Sequence, residues 1–308
     1  MVRDMAEEIL SRGYEVWVLA GEHQGDRNGV RLTSDFQVLA KTWDLIIVFG
    51  GDVYYQNMAL ANANKITSPI LHLLILPSES PVCLGALQTV TYIGCDTHAD
   101  WNHVAWHGVR DKARPVRLSI NEKTSFGTPG FREKYNIKTK HMFLSSGGYW
   151  PNKAMGPLVT MFNALELPDT TLVLTGYDNR HNLMPAESEF VKPFMIDDRS
   201  DVMSALLEAD LYILHSYSEG FGLVLLEAML NKTPWIARDI AGASTLRSFG
   251  TTYKTDSELM WHLGTHRHLS EAMNTGELNF LNAGRNYILE NRLNKHTVDD
   301  IEKILLHK

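Results

Sequence analysis

Short apolar runs alternate with amphipathic stretches along most of this chain. The run Leu-Tyr-Ile-Leu at 211–214 carries no charge, which is typical of a strand buried in a parallel sheet. The stretch 2–12 instead has apolar residues at helical spacing and is followed by Gly13, and glycine commonly ends helices. Strands that alternate with helices predict βαβ units and therefore an α/β fold with mostly parallel sheets.

Two such alternating series follow one another. We expect strands of the first series at 14–20, 44–49, 70–76, 89–94 and 116–120, and strands of the second at 141–146, 171–175, 190–194, 211–215 and 235–237. Helices of the second series are expected at 154–164, 200–208, 222–230, 257–263, 282–289 and 297–306. The pattern predicts two Rossmann-like domains, 1–125 and 126–308, that face each other across a ligand-binding cleft. Because the first series opens with a helix, we expect the N-terminal domain to lack its first strand.

One stretch of the second series combines glycines with two acidic residues. It reads Tyr-Ser-Glu-Gly-Phe-Gly-Leu-Val-Leu-Leu-Glu-Ala-Met at 217–229, so Glu219 and Glu227 are eight positions apart. A glycine-rich turn from a strand into a helix lets backbone N–H groups approach an anion such as a diphosphate. The two carboxylates are not expected to bind phosphates. They suit sugar hydroxyls, or a positive charge that develops during a reaction.

Size and charge narrow the classes of function. The chain has 308 residues, enough for two ordinary domains, and its net charge of −7 argues against bulk nucleic-acid binding. Its two cysteines, Cys83 and Cys95, form no metal or redox motif, as is usual in a reducing compartment. No apolar run reaches the length of about 20 residues that a membrane-spanning helix needs, so we expect a cytoplasmic protein.

The segment Arg110–Lys140 is strongly basic. A solvated linker is one interpretation of this composition, and contact with acidic lipid at a membrane surface or with a phosphorylated acceptor is the other. The segment carries nine basic residues against three acidic ones, the basic residues being Arg110, Lys112, Arg114, Arg117, Lys123, Arg132, Lys134, Lys138 and Lys140.

The surroundings of the two glutamates carry a resemblance to a known family. Their stretch resembles the E-x7-E signature of glycosyltransferase family 4 (glycosyl transferases group 1), whose members are retaining enzymes of the two-Rossmann-domain GT-B type. Segments 208–216, 233–237 and 239–242 resemble the family's flanking strands and loop in the same order. Segment 147–153, Gly-Gly-Tyr-Trp-Pro-Asn-Lys, resembles its glycine-to-lysine segment. The resemblance is specific from about residue 121 onward and weak before it.

This resemblance implies transfer of a sugar from a UDP- or GDP-linked donor with retention of anomeric configuration, without a metal or another cofactor. The acceptor stays open: a sugar, a lipid-linked molecule or another compound. The implied catalytic residues are Lys153, at the donor diphosphate, and Glu219, at sugar hydroxyls near the reacting carbon. The implied substrate-binding residues are Glu227, at the ribose, with Gly148, Asn152, Gly176, Gly220, Phe221, Gly222 and Leu223.

The chain departs from the family pattern at several positions. The family often has an arginine five residues before its lysine; here that position is Gly148, which leaves one cation fewer unless Arg180 or Arg238 substitutes. Lys232 and Thr245 replace a glycine and a glutamate. A degenerate protein that binds a nucleotide sugar without turnover is therefore an alternative, and a nucleotide-sugar epimerase is a weaker one.

Two further features have competing interpretations. His103 and His107 lie one helical turn apart and follow the polar segment 96–100, which suggests a metal site or an acceptor site. Imidazoles on a helix more often belong to the surface or to the core. Trp150, within the glycine segment, either stacks on a sugar or base or packs against the protein.

Overall fold

The computed structural model describes residues 2–19, 25–49, 66–73, 87–88, 90–177, 182–272 and 277–306. The chain divides into two compact α/β units. The first unit combines Met1–Asn121 with Arg292–Lys308, and the second unit is Glu122–Asn291. The division after 121 differs by four residues from the one predicted after 125. The C-terminal segment from Arg292 belongs to the first unit, and not to the second as predicted.

The first unit contains a four-stranded parallel sheet and a separate three-stranded sheet, with strand orders β4-β5-β6-β7 and β1-β3-β2. The described elements before residue 122 are α1 (Val2–Ser11), β1 (Trp17–Leu19), β2 (Gly25–Arg27), β3 (Val30–Thr33), β4 (Ile46–Phe49), β5 (Ile70–Leu73), β6 (Tyr92–Cys95), α2 (His98–Trp106) and β7 (Ala113–Pro115), with single 3-10 turns at Phe36–Ala40 and Arg110–Lys112.

Two differences from the predicted elements of the first unit have physical reasons. Strands β2 and β3 form an antiparallel hairpin whose turn residues, Asn28 and Gly29, both have positive φ angles of 56° and 84°. Such a turn favours Asn-Gly, so the signal was present in the sequence. The strand predicted at 116–120 is absent, and β7 at Ala113–Pro115 takes its place in the sheet. The amide of Leu118 donates instead to the Asp96 carboxylate, at 2.7 Å.

Ion pairs and apolar contacts hold the C-terminal helix, Asn294–Leu306, on the first unit. Arg292 contacts both carboxylate oxygens of buried Asp96, at 2.6 and 2.8 Å. Arg117 forms a bidentate pair with Asp300, at 2.7 and 2.8 Å. The apolar face of the helix, Val298, Ile301 and Ile304, packs in one cluster with Met5, Leu71, Leu73 and Val116. These contacts join residues far apart in sequence and explain why the segment belongs to the first unit.

The second unit is a six-stranded parallel sheet flanked by helices. Its described elements are α3 (Glu122–Ser125), α4 (Phe131–Lys134), β8 (His141–Ser146), α5 (Met155–Leu165), β9 (Thr170–Gly176), β10 (Val191–Met195), α6 (Arg199–Glu208), β11 (Leu211–Leu214), α7 (Leu223–Leu230), β12 (Trp235–Arg238), α8 (Ala241–Leu246), β13 (Thr251–Tyr253), α9 (Asp256–Ala272) and α10 (Glu277–Asn291), with 3-10 turns at Pro151–Lys153 and Arg247–Phe249. The five strands predicted here are confirmed, and β13 was missed.

The strand order of this sheet is β10-β9-β8-β11-β12-β13, with every pairing parallel. Counted from β8 as strand 1, the order is 3-2-1-4-5-6, which is that of a Rossmann-type nucleotide-binding sheet. The order reverses between β8 and β11, and ligands of such sheets bind at the carboxyl ends of the strands beside this reversal. The glycine segment 147–153 follows β8, and the stretch 217–229 follows β11.

Candidate functional site

A cavity of about 320 Å³ opens at the carboxyl edge of the second unit's sheet. Its walls come from the ends of β8 and β9, the segment after β10, the loop after β11 and the first turns of α6 and α7. The cavity therefore lies beside the reversal of strand order. Both polar and apolar groups line it, as in many small-molecule sites.

The glycine segment after β8 brings a lysine into the cavity wall. Gly147 has a φ of 145°, a conformation that other residues rarely adopt, and the chain then forms the 3-10 turn Pro151–Lys153 before α5. The stem of Lys153 lies across Gly147, because a Cβ added there would be 3.4 Å from the lysine Cε. The conformation of this short loop thus directs the lysine back toward the end of β8.

Lys153 forms an ion pair with Glu219, which stands 66 positions later. The same carboxylate oxygen, Oε1, accepts a hydrogen bond of 2.6 Å from the Ser216 hydroxyl. Both side chains of the ion pair are largely buried, at 17% and 14% exposure. The cavity wall thus holds an ammonium and a carboxylate in contact, and both lie where a ligand can reach them.

Helix α7 starts at the cavity and carries the second glutamate. Its N-cap is Gly222, whose φ of 80° is left-handed and suits glycine. Glu227, in the second turn, is buried yet lines the cavity. Burial raises the pKa of the Glu227 carboxyl, while the charge and hydrogen bond of Arg199 act in the opposite direction.

Arg199, the first residue of α6, is the partner of Glu227 and also lines the cavity. Its Nη2 donates to Glu227 and, at 3.0 Å, to the Ser125 hydroxyl. Its Nε donates to the Thr124 carbonyl oxygen, at 3.1 Å. The family pattern assigned no role to this arginine. The polar run 197–200 directly after a predicted strand was the available signal.

A hydroxyl without a partner also lines the cavity. Thr175, near the end of β9, is 1% exposed, and its Oγ1 makes no hydrogen bond within the described part of the chain. Its carbonyl oxygen accepts a bond from the Gly147 amide, at 2.9 Å, so this threonine adjoins the glycine segment. A buried polar group without a partner is costly and is most easily explained by a ligand or water that satisfies it.

The cavity brings together most, but not all, of the residues implied by the family resemblance. Lys153, Glu219 and Glu227 line it, with Gly148, Gly176, Gly222 and Leu223. Gly220, Phe221 and Asn152 do not. Phe221 is buried, and its carbonyl oxygen would be 1.5 Å from a Cβ added at Gly242, so these backbones pack closely. Asn152 joins two loops: its carbonyl oxygen accepts from the Tyr217 amide at 2.8 Å.

Of the two arginines considered as substitutes at Gly148, Arg180 falls outside the described residues. Arg238 does not line the cavity. Arg238 pairs with Asp256 at 2.7 Å, and its guanidinium lies 5.2 and 5.4 Å from the ring centroids of Tyr217 and Tyr253.

Trp150 belongs to the cavity wall and not to a buried core. Its indole meets the exposed Tyr177 ring edge to face, with centroids 5.7 Å apart, and both residues line the cavity. This position leaves a stacking role for the indole open.

The histidine pair lies in the first unit. The rings of His103 and His107 are 4.6 Å apart. The acidic residues before them have structural contacts: Asp100 forms the capping box of α2 with Thr97, and Asp96 pairs with Arg292. No group of three or more potential metal ligands occurs within the described ranges.

The basic segment Arg110–Lys140 extends over parts of both units. Three of its cations pair within their own unit: Arg117 with Asp300, Arg132 with Asp210 and Lys134 with Asp201. Contact with a membrane surface stays a prediction for the remaining cations. No helix within the ranges described above has the length and apolar character that crossing a bilayer requires.

Comparisons with known proteins show what the chain is similar to in sequence and in fold. Residues 128–248 match the family model described as glycosyl transferases group 1. The matched part covers β8 to β12 and includes every residue described as lining the cavity. No curated protein matches the sequence.

Solved glycosyltransferase structures share the fold at low sequence identity. HepE of Anabaena, solved with UDP and glucose, is 17% identical, with a TM-score of 0.73 over 89% of this chain and 80% of that one. Sucrose-phosphate synthase from Thermosynechococcus elongatus is 16% identical, with a TM-score of 0.76 over 99% and 92%. WaaG, a glycosyltransferase of lipopolysaccharide biosynthesis, is 16% identical, with a TM-score of 0.65 over 99% and 94%. Residues 128–248 are therefore similar to glycosyl transferases group 1, and the chain has the GT-B fold of glycosyltransferases.

Proposed function

We propose that this protein transfers a sugar from a UDP- or GDP-linked donor to an acceptor, with retention of anomeric configuration and without a metal. The observation that carries the proposal is the contact of Lys153 with Glu219 in a cavity that also contains Glu227. A nucleotide sugar needs a cation at its diphosphate and acceptors for the hydroxyls of its two sugar rings. HepE, which shares the fold, was solved with UDP-glucose, which supports a donor of this class.

Lys153 and the start of α7 are the groups suited to the diphosphate. An ammonium offsets the negative charge that grows on the departing diphosphate, and the N-terminus of a helix adds a partial positive charge. The backbone N–H groups of Gly222 and Leu223 lie at that N-terminus. Together these groups stabilise the negative charge of the diphosphate, as a divalent ion does in other transferases. This is the reason for proposing a reaction without a metal.

Retention follows from a displacement on one face of the sugar. The acceptor oxygen forms its bond to the anomeric carbon on the side from which the diphosphate departs. The bond from that carbon to the phosphate oxygen breaks, and the acceptor's proton passes to the same departing oxygen. Glu219 would accept hydrogen bonds from sugar hydroxyls near the anomeric carbon, and Glu227 from the ribose.

The donor has to compete with an ion pair that already exists in the free protein. When the diphosphate arrives, the Lys153 ammonium exchanges the Glu219 carboxylate for a phosphate oxygen. The carboxylate is then available for the sugar. Phosphate binding and sugar binding are thereby coupled through one lysine.

The test is a panel of UDP- and GDP-sugars, assayed for transfer and for hydrolysis. We expect the wild-type protein to release nucleoside diphosphate from one class of donor, and Lys153→Ala and Glu219→Ala to lose most of that release. Glu189→Gln, an exposed residue of the same unit, is the matched control. Full activity in both site variants would refute the site assignment. The anomeric configuration of the product, observed by proton NMR, tests retention.

A second candidate is a degenerate glycosyltransferase that binds nucleotide sugars without turnover. The observation in its favour is the loss of the family arginine at Gly148, where the indole of Trp150 takes the space: an added Cβ would be 2.7 Å from the indole Cε2. Calorimetric binding of UDP or GDP with no release from any donor in the panel would select this candidate. An epimerase would convert the donor sugar without an acceptor in the same assay.

A further inference from the structure

The cavity contains a second cation besides Lys153. Arg199 comes from α6, the helix that follows β10, and so approaches the cavity from a different part of the sheet. The two cations have matching surroundings, since Lys153 contacts Glu219 and Arg199 contacts Glu227. Each carboxylate of the E-x7-E stretch is thus paired with one cation.

The position at which the family often has an arginine cannot hold one here without rearrangement. The indole of Trp150 lies 2.7 to 3.1 Å from a Cβ added at Gly148. An arginine side chain at that position would displace the indole. A cation that assists Lys153 must therefore come from elsewhere in the cavity wall.

The guanidinium of Arg199 is held in place and still has free donors. An arginine has five N–H donors, and here Nε and Nη2 make the bonds to Thr124, Ser125 and Glu227. Nη1 makes no hydrogen bond to any residue that the structure describes. The side chain is 52% exposed although its partner Glu227 is buried. An anchored guanidinium with an accessible edge is well suited to a phosphate, because little conformational freedom is lost on binding.

On the basis of the proposed nucleotide-sugar transfer, we propose that Arg199 is a second phosphate-binding residue of the donor site. Nη1 binds a phosphate oxygen of the nucleotide, while Nη2 keeps Glu227 directed toward the ribose. Arg199 thereby replaces the arginine that the family often has at the position of Gly148. Because Arg199 also contacts Glu227, it links the phosphate-binding part of the site to the ribose-binding part.

The experiment titrates nucleotides of increasing phosphate content. The affinities of UDP and GDP are compared first by calorimetry. The base of the nucleotide that binds more tightly is then used for a series of three ligands: the diphosphate, the monophosphate and the nucleoside. Each is measured with the wild-type protein, Arg199→Gln, Arg199→Lys and the control Arg285→Ala, which changes an arginine of α10 that does not line the cavity. Thermal unfolding of each variant verifies folding.

We expect Arg199→Gln to weaken diphosphate binding by about 10- to 100-fold, the loss typical of a charge-assisted hydrogen bond, and nucleoside binding by much less. Arg199→Lys should recover part of the loss, and the affinity should depend less on salt in Arg199→Gln than in the wild type. Equal losses for the diphosphate and the nucleoside would overturn the proposal and assign Arg199 to the positioning of Glu227 alone. Unchanged affinity in Arg199→Gln would also overturn it. Absence of diphosphate binding by the wild-type protein would instead refute the proposed function.

Discussion

Lys153 and Glu219 form an ion pair although they are 66 positions apart and lie in loops after different strands. These strands, β8 and β11, are neighbours at the point where the order of the sheet reverses. The carboxyl ends of both strands therefore meet at the same edge, and the two loops necessarily face each other. The pair joins the part of the cavity suited to phosphate with the part suited to sugar.

Removal of the lysine should weaken phosphate binding selectively. We predict that Lys153→Ala lowers UDP or GDP affinity by about 10- to 100-fold, because a charge-assisted hydrogen bond is lost and Glu219 is left near the phosphates. Affinity for the nucleoside should change little. Calorimetry of the two ligands measures the difference. Lys192→Ala changes a lysine of β10 whose ion-pair partner Glu187 is 3.9 Å away, and it should behave as the wild type. A similar loss in both lysine variants would contradict the assignment.

Replacement of Thr175 should weaken binding of the donor without lowering the stability of the protein. Thr175→Val keeps the shape of the side chain and removes a buried hydroxyl that has no partner among the described residues. Loss of such a group is expected to leave the free energy of unfolding unchanged or to raise it. If the hydroxyl binds the donor, the affinity for the diphosphate should fall by about 5- to 10-fold, which is the typical contribution of one hydrogen bond.

The measurements for Thr175 are thermal unfolding without ligand and calorimetry with UDP or GDP. Thr175→Ser, which restores the hydroxyl, should recover affinity. Undiminished binding by Thr175→Val would show that the donor does not use this hydroxyl.

Acid should destabilise the second unit through His215, which directly follows β11. The residue is 1% exposed and its Nδ1 lies 2.6 Å from the Tyr253 hydroxyl. Burial, followed by the positive charge of Arg238, lowers the pKa of His215 from 6.5 to about 4, while Asp256 acts in the opposite direction. As pH falls from 6.5 toward 4, the unfolded chain binds the proton first. The stability that neutral His215 provides above pH 6.5 is then lost, on the order of 3 kcal/mol.

Urea unfolding between pH 7 and 4 tests this linkage. The decrease in the free energy of unfolding should be smaller in His215→Gln, whose side chain does not titrate, than in the wild type. His98→Gln, at an exposed position, should retain the full decrease. Parallel curves for His215→Gln and the wild type would contradict the lowered pKa.

The sequence predicted the second unit well because its signals are local. Runs rich in apolar residues marked the strands from β8 to β12, and glycines marked the loops after β8 and β11. Once the strand order is of the Rossmann type, the loops after β8 and β11 must adjoin, which agrees with the expectation that Lys153 and Glu219 belong to one site. Their direct ion pair was not predicted.

The features that the sequence did not predict depend on contacts between residues far apart in the chain. Arg199 occupies the cavity because α6 begins beside α3 and α7. The polar run 197–200 after a predicted strand indicates a position at the edge of the sheet, but it does not express that proximity. The C-terminal helix docks on the first unit through Asp96 and Arg292, which are 196 positions apart. A periodic pattern shows that such a helix exists, but not which core its apolar face covers.

The most direct test of the proposed reaction compares Glu219→Gln with the control Glu189→Gln. The measured quantity is the release of nucleoside diphosphate from the preferred donor. Glu219→Gln keeps the size of the side chain and removes the charge that faces Lys153 and, by proposal, the reacting sugar. We predict that nucleotide affinity is retained while the turnover number falls by about 100-fold, as expected for loss of a group that acts mainly in the transition state. Turnover equal to that of the wild type would contradict the assignment of the reaction to this cavity.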